Sequence, residues 1–341
     1  VAAIGRAGAG TNNIPVEKMA ARGIPVFNAP GANANAVKEL AIASLLLGAR
    51  NVCAAERYVS DLDDSGDALN KAVEAGKKQF VGFELPGRTL GVIGLGAIGV
   101  QVANAALDLG MNVVGFDPAI TVRRAWQLSS GVSHAETLDQ LFQHADAISC
   151  HVPLLDATRG LVNAERLSLL NDGATLINLA RGGVVDDAAA LAALDSGKLH
   201  AYVSDFPTRE LMDHPKVVAL PHLGASTAEA EQNCAVMVAD NVKDFLENGN
   251  IRFSVNFPEC RMPRADAYRL TIANANVPNM VGQISTHLAD AGLNIEDLLN
   301  KSVGNLAYTI VDVNDPITAD LENTLRSIEG VLRVRNLGKP H

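Results

Sequence analysis

The sequence is 341 residues long, room for two or three domains, and its 48% hydrophobic and 19% charged residues describe a globular chain and exclude a disordered one. Lys plus Arg number 28 against 38 Asp plus Glu, a formal net charge of -10, which argues against nucleic acid as a partner because such binders carry a basic domain. Apolar runs such as Leu45–Gly48 fall far short of the roughly 20 residues a spanning helix needs, so no membrane is expected. The four widely spaced cysteines (Cys53, Cys150, Cys234, Cys260) fit neither a zinc-ligand pattern nor a disulfide framework, which points to a cytoplasmic protein without a metal.

In chain order, Val1-Ala-Ala-Ile-Gly5 reads as a strand. A strand at the first residue, with no lead-in, predicts a sequence that begins inside a domain; a processed leader is the alternative. Asn35–Arg50 reads as a helix, and Ser60–Lys78 as a charged surface segment with one short helix. Apolar strands then alternate with helices: strand Leu90–Gly94, helix Ile98–Leu109, and strands Asn112–Phe116, Asp146–Cys150 and Ala174–Asn178. An Ala-rich helix Asp186–Asp195 follows, then strands Ala201–Ser204 and Val217–Leu220. Such alternation builds a parallel sheet with helices on both faces. Ala228–Leu246 is a helix closed by Gly249, and it leads back to the lobe that residues 1–34 begin. After Pro258–Pro263 the pattern resets to strand Tyr268–Asn274, helix Asn279–Ala291, strands Ile295–Val303 and Leu306–Val313, helix Thr318–Ile328 and strand Val331–Asn336. This βαββαβ order is that of a ferredoxin-like unit.

Gly94-Leu-Gly-Ala-Ile-Gly99 matches GxGxxG in the context that gives the motif meaning, after a strand and opening a helix. Gly94, Gly96 and Gly99 permit the tight turn and the approach of a pyrophosphate, whose charge then meets the helix N-terminus at Ala97 and Ile98. Asp117 ends the next strand, where a carboxylate accepts from ribose hydroxyls and repels a 2′-phosphate, favouring NAD over NADP. Arg123 and Arg124, slightly downstream, leave room for NADP. Arg181 follows the strand Ala174–Asn178, and ligands bind at the carboxyl ends of such strands. Its guanidinium can grip a carboxylate with two parallel bonds, or be a plain surface group. His222 stands at another strand's carboxyl end, as a residue able to exchange a proton near neutral pH. His151 also ends a strand and is placed on the adenine side. His134, His144, His200, His214, His287 and His341 are read as structural or exposed. Asp205 and Glu210, in the loop after Ala201–Ser204, are either partners of a catalytic histidine or solvated loop acids.

The segments GLGAIG, FDP, HVPLLDATRGLVN, LINLARGGVVDD, SDFPTREL and LPHLGAST occur in this order. Together they resemble the D-isomer-specific 2-hydroxyacid dehydrogenases. Arg6-Ala-Gly-Ala-Gly-Thr-Asn-Asn13 and the C-terminal βαββαβ narrow the resemblance to the branch that carries a C-terminal ACT domain and acts on a phosphorylated 2-hydroxy acid. The resemblance implies a Rossmann-type NAD-binding domain at 35–225 and a flavodoxin-like substrate lobe, present only in part at 1–34, with its preceding residues missing. It further implies a return helix and linker at 226–262 and an ACT regulatory domain at 263–341. By the same resemblance Arg181 binds the substrate carboxylate and carbonyl, His222 is the general acid/base, and Glu210, five residues after Asp205, pairs with His222. Asp205 would lie by the nicotinamide carboxamide, with Val152, Pro153 and Ala180 as further cofactor contacts. Arg6, Gly8, Ala9 and Gly10 would contact substrate from the other lobe. Arg209, immediately before Glu210, departs from the commoner pattern.

The implied reaction is NAD-linked oxidation of D-3-phosphoglycerate to 3-phosphohydroxypyruvate, the first step of L-serine synthesis. Another D-2-hydroxyacid dehydrogenase, for glyoxylate or hydroxypyruvate, and a non-catalytic NAD(H)-sensing protein are the alternatives. In the ACT-like unit, Asn274, Asn276 and Asn294 match positions that bind a small amino-acid effector, with L-serine the leading candidate. Asn274 stands where a histidine often occurs, and Asn279 where a glycine follows proline. A homodimer or homotetramer is implied, and a purely structural oligomerisation domain is the alternative to an effector site.

Overall fold

A computed structural model describes residues 1–340; His341 lies outside the described residues. The chain divides into two units, one of Val1–Asn33 with Glu231–His341 and one of Ala34–Ala230. In the first unit, strands β1 (Ile4–Gly5) and β2 (Val26–Phe27) pair in parallel. Only two residues of the expected strand Val1–Gly5 are therefore in a ladder. A Cβ on Gly5 would collide with Val238 of the helix Ala228–Asn248, so the short strand lies closer to that helix than a side chain would allow.

The second unit is built on seven parallel strands: β3 (Thr89–Ile93), β4 (Asn112–Phe116), β5 (Val132–His134), β6 (Ala147–Cys150), β7 (Ala174–Asn178), β8 (Leu199–Ser204) and β9 (Val217–Ala219). Their order is β5-β4-β3-β6-β7-β8-β9, the doubly wound Rossmann arrangement, with its two halves meeting between β3 and β6. Strands β6 and β7 are buried at every position, as strands covered on both faces must be. The helix Ala97–Asp108 buries Gly99, Val100, Val102, Ala103 and Ala106, a stripe at helical spacing. Helix starts are fixed locally: Thr137 Oγ1 accepts from Gln140 N at 3.1 Å and Asp186 Oδ1 from Ala189 N at 3.1 Å, each satisfying an N–H that the helix leaves free. Several short elements escaped the sequence reading, among them strand β2, the helices Val16–Ala20, Val122–Ala125, Leu138–His144, Ala164–Leu169 and Arg209–Met212, and two whose exposure explains the miss. Edge strand β5 has exposed Ser133 and His134, so it shows no apolar run, and the helix Val52–Ser60 buries none of its residues.

The C-terminal residues of the first unit form β10 (Tyr268–Ala275), β11 (Ile295–Val303), β12 (Leu306–Val313) and β13 (Val331–Gly338), an antiparallel sheet of order β11-β12-β10-β13. The helices Met280–Asp290 and Ala319–Ser327 complete the βαββαβ order. Leu270, Ile272, Ile284, Leu288, Val311 and Leu325 form its core. Arg269 and Asp312 face each other across β10 and β12, fully buried, with Nε and Nη2 each 2.7 Å from a carboxylate oxygen. The remaining donors reach the carbonyls of Asn248 and Met262 at 3.0 Å and Pro263 at 2.7 Å. The pair thus ties the end of the long helix and the linker to the sheet. No described helix is long and apolar enough to cross a membrane.

Breaking a buried pair by removing one partner strands the other charge. Asp312→Ala is therefore expected to destabilise this unit by about 3–5 kcal/mol, read as a lowered urea midpoint in a probe of the C-terminal sheet. A midpoint equal to the parent's would show that the pair contributes nothing.

Candidate active site

The glycine turn lies where β3 hands over to the helix Ala97–Asp108. Gly94 has φ +90, and a Cβ there would stand 2.7 Å from the His151 carbonyl oxygen and 2.8 Å from Val152 Cγ1. A Cβ on Gly99 would collide with the Gly94 carbonyl oxygen, whereas Gly96 faces open space. Two glycines thus pack the turn against β6 and the helix, and the third leaves clearance for a ligand. The N–H groups of Ala97 and Ile98 are in the helix's first turn, where no intrahelical acceptor exists. Asp117, half-buried after β4, accepts from Leu95 N at 2.8 Å through Oδ2 and from Ala119 N at 2.9 Å through Oδ1. Its carboxylate is locked beside the glycine turn, and each oxygen keeps a second lone pair. These residues fit a dinucleotide: clearance at Gly96, free helix amides for the pyrophosphate and a fixed acceptor for ribose.

His151 follows β6. Its Nε2 pairs with Ser149 Oγ at 2.8 Å, while its Nδ1 is buried without a partner. Burial pushes the imidazole down to about 4, so at neutral pH it is uncharged. Val152 and Pro153 continue this segment, and Thr158 Oγ1 donates to the Pro153 carbonyl at 2.5 Å.

Arg181 is exposed, and its loop is fixed by a residue that the sequence reading passed over. Asn178, buried at the end of β7, donates through Nδ2 to the Arg181 carbonyl at 2.9 Å and accepts through Oδ1 from Ala180 N at 3.1 Å. The available signal was one amide residue closing the apolar run Ala174–Ile177. Arg181 Nη1 donates to the Ala180 carbonyl at 2.7 Å, leaving Nε and Nη2 as a side-on fork.

At the next strand end, Asp205 is 2% exposed and accepts from Leu223 N at 3.0 Å and Gly224 N at 2.7 Å. Between those residues and β9 stands His222, exposed, with φ +57. Its ring lies 4.7 Å from that of Phe206, tilted by 54°. Glu210 occupies the first turn of the short helix Arg209–Met212. Its own backbone N–H and the Thr208 hydroxyl hold its carboxyl below the usual range. The expected Glu210–His222 pair is not made: no hydrogen bond or ion pair among the described residues joins them. Glu210 neighbours Asp187, whose carboxyl is pushed up by burial and further by the charges of Asp186 and Glu210, against a bond from Thr208.

Arg6, Gly8, Ala9 and Gly10 belong to the other unit. Arg6 N donates to the Phe27 carbonyl at 2.9 Å, Ala29 N to that of Gly8 at 3.0 Å, and Asn28 Nδ2 to that of Ala9 at 2.7 Å. A Cβ on Gly8, at φ +150, would collide with the Arg6 guanidinium, so the glycine is what lets that side chain fold back. In the C-terminal sheet, Asn274 is buried, donates to the Ala275 carbonyl at 2.7 Å and has an unpartnered Oδ1. Asn276 is exposed and donates to the Gly304 carbonyl at 3.0 Å. Asn294, also exposed, contributes its N–H to Asn314 Oδ1 at 2.8 Å.

Residues 42–224 match the family model for the D-isomer specific 2-hydroxyacid dehydrogenase, NAD binding domain. The chain is 34% identical over 340 residues to the D-3-phosphoglycerate dehydrogenase of Haemophilus influenzae, covering 96% of this chain and 79% of that protein. It is 36% identical over 319 residues to the D-3-phosphoglycerate dehydrogenase of Methanocaldococcus jannaschii, covering 91% of this chain but only 57% of that protein. Among solved structures, the NAD+-bound 3-phosphoglycerate dehydrogenase of Entamoeba histolytica superposes with a TM-score of 0.60 at 29% identity, covering 75% of this chain and 76% of that one. The chain therefore belongs to the D-isomer specific 2-hydroxyacid dehydrogenase family, and its seven-stranded sheet carries that family's NAD-binding domain.

Proposed function

We propose that this chain catalyses the NAD-dependent oxidation of D-3-phosphoglycerate to 3-phosphohydroxypyruvate, the first step of L-serine synthesis. The observation that carries the reading is Arg181 and His222 on the loops after β7 and β9, at the same carboxyl edge that holds the glycine turn, with the relatives named above sharing about a third of the sequence. Bound NAD supplies the acceptor for the hydride that leaves C2. Gly94, Gly96, Gly99 and the amides of Ala97 and Ile98 hold its pyrophosphate, Asp117 its ribose, and His151, Val152, Pro153 and Ala180 line the remainder. Arg181 presents Nε and Nη2 to the substrate carboxylate, a bidentate charge-assisted contact. His222 takes the hydroxyl proton as C2 becomes a carbonyl, and returns it in the reverse direction.

His222→Ala is expected to lower kcat by about 10²–10⁴-fold, the scale of a lost general base, with NADH affinity kept because the pyrophosphate turn is elsewhere. Arg181→Ala should damage KM and kcat together. With the parent enzyme, D-3-phosphoglycerate should give a higher kcat/KM than glycerate, lactate or glyoxylate in the matching direction. A His222→Ala enzyme as fast as the parent, or a better substrate among the unphosphorylated acids, overturns the reading.

Asp117 makes NAD the preferred dinucleotide, since its carboxylate repels a 2′-phosphate. Asp117→Ala should narrow the ratio of kcat/KM for NAD over NADP. Equal efficiency with NADP in the parent would remove Asp117 from this role.

The C-terminal sheet is proposed to bind a small amino acid, L-serine first among them, in a homodimer or homotetramer. Asn274, with its unpartnered buried acceptor, Asn276 and Asn294 supply amides able to read an ammonium and a carboxylate. Calorimetric titration with L-serine should give heat that Asn294→Ala abolishes. Absence of heat with any amino acid at millimolar concentration would leave the sheet an oligomerisation role alone.

A further inference from the structure

His222 is a non-glycine residue in the left-handed region, φ +57, a conformation strained for a residue with a Cβ that persists only where neighbouring contacts over-determine it. Those contacts flank it on both sides. Before it, Leu220 N donates to the Ser204 carbonyl at 2.9 Å. After it, Leu223 N and Gly224 N donate to the two oxygens of Asp205 at 3.0 and 2.7 Å. Asp205 is itself fixed, with its N–H on the Asn178 carbonyl at 3.1 Å and its side chain withdrawn from water. A Cβ on Gly224 would stand 3.1 Å from Asp205 Oδ2, so a side chain there would push on the carboxylate by a few tenths of an ångström.

We infer that Asp205 is a positioning residue: its carboxylate clamps the two amides that follow His222, holds that residue's backbone in the left-handed region and thereby sets where the imidazole meets the substrate hydroxyl. The inference rests on the proton-transfer role proposed for His222. It gives Asp205 a task distinct from contact with the nicotinamide carboxamide. Charge-assisted bonds to backbone N–H groups are among the stronger hydrogen bonds a side chain makes, and the one to Gly224 N is buried. Losing that one leaves a buried amide unpartnered. Proton transfer needs a separation within about 2.6–3.2 Å, so a loop released by a fraction of an ångström loses rate without losing substrate.

The deciding variant is Asp205→Asn, which keeps the shape and one acceptor oxygen but turns the other into a donor facing an amide. Steady-state kinetics, NADH binding followed by fluorescence and melting temperature are measured for the full chain, for this variant, for His222→Ala and for the double variant. The expected result is a fall in kcat of about 10–100-fold, the scale of one lost charge-assisted bond, with NADH affinity and KM for NAD near the parent's. In the His222→Ala background the same change should lower kcat no further, because residues acting through one another are not additive. Gly224→Ala, which perturbs the contact from the loop side, should move kcat in the same direction and decides the matter if Asp205→Asn does not fold. A parental kcat in these variants overturns the inference, as does a further fall in the His222→Ala background. A loss confined to NADH affinity and KM for NAD overturns it too, by making Asp205 a carboxamide contact. His222→Ala at parental kcat would defeat the proton-transfer reading and this inference with it; His222→Ala inactive beside a normal Asp205→Asn defeats this inference alone.

Discussion

Seven parallel strands end on one edge, and the site depends on that. Hydrogen bonding between neighbours holds the strand ends at about 4.8 Å intervals. Whatever follows the last paired residue of each strand inherits this spacing. Here the strand ends hand over to Gly94, Asp117, His151, Arg181, Asp205 and His222. The clearance at Gly96, the acceptor at Asp117 and the guanidinium at Arg181 are thus set by a ladder of backbone bonds and not by the long side chains themselves.

A parallel edge alone would leave its loops free, since the last carbonyls and the first loop amides have no ladder partner. Buried polar residues at the ends of β6, β7 and β8 fill that gap. Ser149 pairs with His151, Asn178 bonds both ways with the Ala180–Arg181 loop, and Ser204 Oγ accepts from Phe206 N at 3.1 Å. A polar side chain inside costs stability unless bonded, and each of these spends its bonds on the loop that carries a functional group. Away from that edge, the hydroxyl oxygen of buried Thr175 and the Nε2 of half-buried His200 are shielded from water without partners. The contrast separates polar burial that fixes a loop from polar burial that merely occurs.

Strand β7 was legible because burial on both faces leaves little but apolar residues open to it, and β4 because its apolar residues stand between Gly110 and Asp117; both match their sequence-derived bounds, at Ala174–Asn178 and Asn112–Phe116. Strand β11 matches as well, at Ile295–Val303, because β-branched and apolar residues bound it between Asn294 and Gly304. Strand β5 was missed since an edge position asks for little burial. The helix Val52–Ser60 was missed since none of its side chains is buried and its amphipathic pattern has nothing to announce. Of the candidate site, the placement of GxGxxG after β3 and of Asp117 after β4 was readable from spacing, because helix and strand geometry convert spacing directly into position. Asn178 was not, because its role is a pair of bonds to backbone atoms within its own loop, which no residue pattern encodes.

The same boundary runs through the Asp205–Glu210 segment. Two carboxylates five residues apart are equivalent as letters, and their surroundings make them different. Asp205 ends a buried strand, so its oxygens meet amides in a dry place and hold a loop. Glu210 opens a four-residue helix whose buried side chain is Leu211, so its carboxylate faces water and is satisfied by Thr208 and its own N–H. A carboxylate that assists an imidazole must reach a ring nitrogen, and here Glu210 makes no bond to His222 among the described residues. The helix Arg209–Met212 is anchored by one buried leucine and an exposed Arg209–Asp213 pair at 3.4 Å, contacts that cost little to rearrange. Asp205 has no such latitude, because moving it would strand two amides at once. Rigidity at the anchor and freedom at the partner are then built from the same residue chemistry, divided by burial.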